Sequence, residues 1–261
     1  MKKLFTATLL LLAFSMAFAK GPKNQYVRIK TSYGLCIIRL YNETPKHRDN
    51  FIKLVKQGFY NGTLFHRVIQ NFMIQGGDPD SKDPQKAKPG AELGNGDVGY
   101  TIPAEFRDSL FHKRGVLAAA RDENPAKASS GCQFYIVEGN RFTDGKLDTL
   151  EQTRLKGRKI PAWQREYYET VGGVPHLDQG YTVYGEVVTG IDMIDRIAGV
   201  KTDKNDRPLE DVPMTVELLS KKECKQLDKI LGPPTPKGGV AMAVFNFYNG
   251  VPIFTSINKN K

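Results

Sequence analysis

Short apolar runs separated by glycine-rich punctuation dominate this chain and decide what it can become. They lie at residues 26–31, 35–41, 65–69, 72–75, 100–102, 115–119, 133–137, 181–188 and 213–219. Each is too short for a buried helix and is bounded by turn-forming residues, the pattern of strands rather than helices. The intervals lack the regular helix-length segments that βαβ crossovers need, so an antiparallel sheet closing toward a barrel is predicted. The first two runs, joined through Ser32-Tyr33-Gly34, make a hairpin.

Two helices are predicted to cover this sheet. Thr44-Pro45 supplies an N-cap and a proline suited to the first turn, followed by Phe51, Leu54 and Val55 at helical spacing, with Gly58 near the stop. Between Gly190 and Ala198, isoleucines 191, 194 and 197 recur at intervals of three. Segment 143–174 does not fit a plain barrel. It is dense in charge, carries Leu147, Leu150, Leu155, Trp163 and Tyr167, and is broken by Gly157 and Pro161, so it reads as an insertion of two short helices. Beyond Leu219 a lysine-rich stretch leads to prolines at 233, 234 and 236, then to apolar runs at 240–248 and 251–257 around Asn249-Gly250. That pair between apolar runs predicts a hairpin, with Pro252 confining its second strand to an edge.

Lys2 and Lys3 precede an apolar run at 4–19 that ends in Ala17-Phe18-Ala19. The run is short for a span of about 20 residues, and its small-x-small ending matches a secretory leader cleaved before Lys20. The expected division is a signal peptide at 1–19, a globular domain at 24–220 containing the insertion, and a tail at 221–261. The protein is expected to be exported, with the periplasm as first destination and the medium as second, and without stable membrane insertion once the leader is cleaved.

The 38 Lys and Arg against 28 Asp and Glu give a net charge of +10. The basic residues are interspersed with acids and form no run interleaved with aromatics, so no nucleic-acid partner is expected. Three cysteines, Cys36, Cys132 and Cys224, are too few for a disulfide framework and match no zinc spacing. Buried thiols are expected, with Cys224 the one to suspect of reactivity. The string GNGDVG at 94–99 formally satisfies GxGxxG but runs into strand-like residues instead of a helix, which excludes the dinucleotide reading. His47, His66, His112 and His176 stand apart, with no HExxH, and no GxSxG elbow exists. Neither a metal nor another cofactor is expected.

What remains is FHRVIQNFMIQGGD at 65–78. Arg67, Phe72 or Met73, and Gln75 share one sheet face if a turn at Gln70-Asn71 resets the alternation. A guanidinium fork beside an apolar pocket suits a peptide carbonyl next to an apolar ring. An arginine snorkelling over core aromatics accounts for the same pattern.

This segment resembles the FHRxIxxFMxQGGD signature of the cyclophilin-type peptidyl-prolyl isomerases. The likeness continues through GVLAAA at 115–120, QFYI at 133–136 and LDQGYTVYG at 177–185, so it spans about 26–219 apart from the insertion. The resemblance implies a mainly β fold, an eight-stranded antiparallel barrel capped by two α-helices, and cis/trans isomerisation of X-Pro bonds. By position, Arg67 resembles the family's catalytic arginine, and Phe72, Met73, Tyr135 and Leu177 its proline pocket. Gln75, Ala120, Arg121 and Gln133 match the groove beside that pocket, and Tyr181 falls where many members have His. His176 takes a position often held by Trp, a departure that bears on cyclosporin-type inhibition more than on catalysis. Tyr135 replaces the usual Phe and adds a hydroxyl that must reach water or a partner.

The insertion separates Tyr135 from Leu177 in sequence, so it is expected beside the groove, where a lid is one role for it. The implied partners are proline-containing segments of exported proteins, and a monomer is expected. The competing reading is a binding module that holds such segments as a chaperone with little catalysis.

Overall fold

The computed structural model describes residues 24–231; the leader at 1–19 and the hairpin reading at 240–257 lie outside them. The strands are β1 (Gln25–Thr31), β2 (Gly34–Leu40), β3 (Phe65–Ile69), β4 (Met73–Gly76), β5 (Thr101–Ile102), β6 (Val116–Ala119), β7 (Ser129–Ser130), β8 (Phe134–Val137), β9 (Val183–Thr189) and β10 (Thr215–Leu218). Eight of them form one sheet in the order β10-β1-β2-β9-β6-β8-β4-β3, with β5 and β7 paired apart. Every pairing in the large sheet is antiparallel. The sheet curls until the chain beside its edge strands meets. Leu64, before β3, bridges Pro213, before β10, and Phe65 N and Met214 N donate to Val212 O and Thr63 O. Closure thus comes from a few bonds next to the edges, not from a ladder between β3 and β10.

Alternation along the strands sorts side chains onto two faces. Val27, Ile29, Cys36, Ile38, Ile74, Leu117, Phe134 and Ile136 point into the curl and share one core with α1 (Pro45–Lys56) and α4 (Ile191–Ala198). Val116, Ala118, Tyr135 and Met73 belong to a second cluster on the other face.

The start of α1 corrects one expectation. Thr44 holds the N-cap position, yet its hydroxyl makes no capping bond. The carboxylate of Glu105 takes its place, accepting from Lys46 N at 3.1 Å and His47 N at 3.0 Å. An anion there satisfies two orphan donors and complements the helix dipole.

The insertion forms α2 (Asp144–Thr153) and α3 (Ala162–Thr170), as its breakers at 157 and 161 predict. Leu147, Ile160 and Tyr168 are buried with Phe111, a residue of the main domain, in a core of their own. Burying Leu147 and Ile160 contributes roughly 1.5–3 kcal/mol each. Trp163 sits edge-on to Phe111 at 5.2 Å.

Packed structure continues past residue 220, where the sequence reading begins a tail. Residues assigned to a tail form α5 (Lys221–Leu231), which buries Leu227 against Tyr26, Ile37, Val188 and Leu219. A capping box starts it: Ser220 Oγ accepts from Glu223 N at 3.3 Å, and Glu223 Oε2 accepts from Ser220 N at 2.8 Å. Cys224 lies on this helix half-buried, and burial raises its thiol pKa, so the expected reactivity is not supported. Burial also pushes Cys36 up to about 12 and Cys132 up to about 11. No helix among the described residues is long and apolar enough to cross a membrane.

Candidate active site

The hairpin of β3 and β4 sets the first two polar groups. Its tight turn has Asn71 at φ 63°, a left-handed conformation that asparagine tolerates. Arg67 and Gln75 are direct cross-strand partners, and Ile69 pairs with Met73. The register shifts between Phe65 and Arg67, so His66 is a bulge that turns Arg67 to the outer face while Phe65 and Val68 stay in the core. The Arg67 side chain is 43% exposed, and its Nε lies 3.4 Å from Asp206 Oδ2. Asp206 is itself held in place, with φ 63° and its carbonyl accepting from Val68 N at 2.8 Å.

A cavity of about 260 Å³ opens beside Arg67. It gathers most of the predicted set: Arg67 and Gln75, apolar walls from Phe72, Met73, Tyr135 and Leu177, and also Ala120, Arg121 and Tyr181. The snorkelling alternative does not describe this arginine, which borders an open hollow. Arg121 donates from Nε to Gly180 O at 2.8 Å, and its guanidinium lies 4.7 Å from the centre of the Tyr181 ring. Such a cation–π contact fixes both side chains.

Two predicted residues lie elsewhere. Gln133 lines an adjoining hollow of about 480 Å³ together with Gln75, Ala120 and Arg121. Its Oε1 accepts from Gln75 Nε2 at 3.1 Å, and its Nε2 donates to Gly94 O at 2.7 Å and Gly96 O at 2.8 Å. His176 is absent from the lining of either hollow and stacks behind Phe72 at 5.7 Å, where burial lowers its pKa to about 4.

Sequence reasoning missed His66, Leu93, Gly94 and Asn95, which also line the cavity. Strict alternation sends His66 to the face opposite Arg67, and only the bulge brings both to the hollow. Burial lowers the His66 pKa to about 4. The loop at 94–99 carries the glycine string rejected as a dinucleotide motif. The structure gives two of those glycines another reason: a Cβ on Gly96 would sit 2.1 Å from Asp78 Oδ1, and Gly94 N donates to the same carboxylate. Close approach to buried Asp78 fixes this wall.

The Tyr135 hydroxyl has found a partner. Tyr135 Oη and His112 Nε2 lie 2.8 Å apart, and Asp178 Oδ1 accepts from His112 Nδ1 at 2.9 Å and from His112 N at 2.7 Å. Tyr168 of α3 donates to Asp178 Oδ2 at 2.6 Å. No residue of 143–174 lines the cavity, so the structure places the insertion behind the site instead of over it as a lid. Among the described residues no group of three or more His, Cys, Asp or Glu side chains could hold a metal ion.

Comparison with known proteins identifies the family and the fold. Residues 26–217 match the model of the family described as cyclophilin type peptidyl-prolyl cis-trans isomerase/CLD. A Streptococcus pyogenes protein named as a bifunctional phosphatase and peptidyl-prolyl cis-trans isomerase is 37% identical over 204 residues, covering 76% of this chain and 39% of that protein. A peptidyl-prolyl cis-trans isomerase of Acinetobacter baylyi is 36% identical over 186 residues, 70% of this chain and 77% of the relative. The crystal structure of a Cryptosporidium parvum cyclophilin-type isomerase, determined in the presence of the dipeptide Ala-Pro, superposes with a TM-score of 0.53 at 24% identity. It covers 76% of this chain and 100% of that one, a likeness of fold.

Proposed function

The chain belongs to the cyclophilin-type peptidyl-prolyl cis-trans isomerase family, and on that premise we propose how it accelerates X-Pro rotation and where. Resonance stiffens the C–N bond, with a barrier of roughly 18 to 20 kcal/mol, so spontaneous exchange takes tens to hundreds of seconds. No bond has to break. As the amide twists, the prolyl nitrogen regains its lone pair and becomes pyramidal. The Arg67 guanidinium, hydrogen-bonded to the proline carbonyl and donating toward that nitrogen, strengthens its contacts as resonance is lost. That is binding of the twisted state in preference to either planar one. Phe72, Met73, Tyr135 and Leu177 hold the proline ring while the preceding carbonyl swings, and Gln75 guides that oxygen.

The observation that carries this reading is a half-exposed guanidinium at the edge of a hollow that also has an apolar wall of Phe72, Met73 and Leu177 with the Tyr135 ring. The Ala-Pro dipeptide named for the Cryptosporidium relative is the ligand class this hollow suits. The leader pattern at 1–19 supports action on proline-containing segments of exported proteins, in the periplasm. The test is a protease-coupled or NMR-exchange assay on X-Pro peptides. By analogy with single oxyanion-hole donors, Arg67→Ala should lower kcat/KM about 100- to 1000-fold. Arg67→Lys should not restore it, since lysine lacks the planar fork. Full activity in Arg67→Lys would remove Arg67 from this role, and a wild type that only suppresses aggregation would favour a chaperone.

A further inference from the structure

We propose that the insertion takes part in the isomerase site from behind, through a buried chain of hydrogen bonds in which His112 is a positioning residue for the Tyr135 wall of the pocket. The proposal rests on the isomerase reading and deepens it.

The chain runs Tyr168–Asp178–His112–Tyr135, with links of 2.6, 2.9 and 2.8 Å. All four residues are buried, so water does not compete for these groups. Asp178 accepts a hydrogen bond from Nδ1–H of His112, which leaves the Nε2 lone pair to accept from the Tyr135 hydroxyl. Burial first, and then nearby charge including Asp178, raises both tyrosine pKa values well above the ordinary one, so both phenols remain donors.

Two cavity walls hang on this chain. Tyr135 is one end of it, and Leu177 directly precedes Asp178, whose backbone closes a tight turn onto Pro175 O. Tyr168 comes from α3 and is locked in the insertion's own core with Phe111 and Leu147. The insertion therefore fixes Asp178, Asp178 fixes the imidazole, and the imidazole fixes a ring that touches the bound proline. A phenol here without His112 would leave a hydroxyl buried and unpaired, and the ring would move toward the hollow.

The experiment is a double-mutant cycle on the full chain, comparing His112→Leu on the wild-type and Tyr135→Phe backgrounds, with Tyr168→Phe measured beside them. Isomerase kcat and KM are determined for an Ala-Pro peptide, with folding checked by circular dichroism. His112→Leu should lower kcat/KM about tenfold on the wild-type background, chiefly through KM, but by less than about twofold once the Tyr135 hydroxyl is gone. Tyr168→Phe should raise KM about threefold. A histidine that merely holds the fold together would change stability and leave KM alone. A folded His112→Leu within about twofold of wild type, or an equal loss on both backgrounds, overturns the proposal. Should His112→Leu fail to fold, Tyr168→Phe decides alone, and an unchanged KM overturns it. If the wild type does not isomerise, the function reading fails separately, and the same variants are read from calorimetric binding of the Ala-Pro peptide.

Discussion

Two histidines in this protein are held in nearly the same way and do different things. At each, one carboxylate accepts from both the backbone N–H and Nδ1 of the histidine, and Nε2 meets a hydroxyl. For His47 the partners are Glu105 at 3.0 and 2.8 Å and Ser129 Oγ at 3.0 Å. For His112 they are Asp178 at 2.7 and 2.9 Å and Tyr135 Oη at 2.8 Å. The first arrangement joins the start of α1 to β7 and touches no wall of the main cavity. The second ends on a ring that lines it. The local chemistry is shared, so role is decided by what the terminal hydroxyl is attached to.

Acid acts through the other two histidines and gives the largest expected effect. An unfolded histidine takes its proton near pH 6.5, whereas burial delays that of His66 and His176 to about pH 4 in the folded chain. The unfolded state thus binds more protons across this window, and stability falls as pH drops from 6.5 to 4. Urea unfolding should register a loss of about 2–4 kcal/mol over that range, reduced in His176→Phe, which keeps a ring on Phe72. A flat profile would show these rings to be less buried than the fold implies.

Neutralising each carboxylate tests the comparison itself. Glu105→Gln should cost about 1–3 kcal/mol of stability with kcat and KM unchanged, while Asp178→Asn should cost a similar amount and raise KM as well. Equal kinetics in the two variants would break the distinction. Trimming the hydroxyls is gentler: Ser129→Ala should lower the unfolding free energy by about 1 kcal/mol without moving KM. The smallest effect is expected at Asp206, whose pairing with Arg67 is solvent-exposed on both sides. Asp206→Asn should reduce kcat/KM about twofold.

The sheet, α1, α4 and both insertion helices were legible because each rests on local periodicity and punctuation. Of the cavity, Arg67, Met73 and Gln75 follow from strand alternation around one turn, whereas Ala120, Arg121, Tyr135, Leu177 and Tyr181 were reached only through the family resemblance. Three features were hidden for physical reasons. The bulge at His66 breaks the period on which the reading relies. Helix α5 was masked by its lysines, although Ser220 and Glu223 announce a capping box and Cys224, Leu227 and Leu231 lie on one stripe. The links from His112 to Tyr135 and from His112 to Asp178 join residues 23 and 66 positions apart, and no local pattern encodes such pairings.

Helix α5 also brings the two ends of the described residues together. Asp228 accepts from Asn24 Nδ2 and from Tyr26 Oη, each at 2.8 Å. A short linker between these points would close the polypeptide into a ring, and fresh ends could then be opened at an exposed loop. Circular permutants of this domain should accordingly fold, and a host protein could carry it as a graft within a single surface loop.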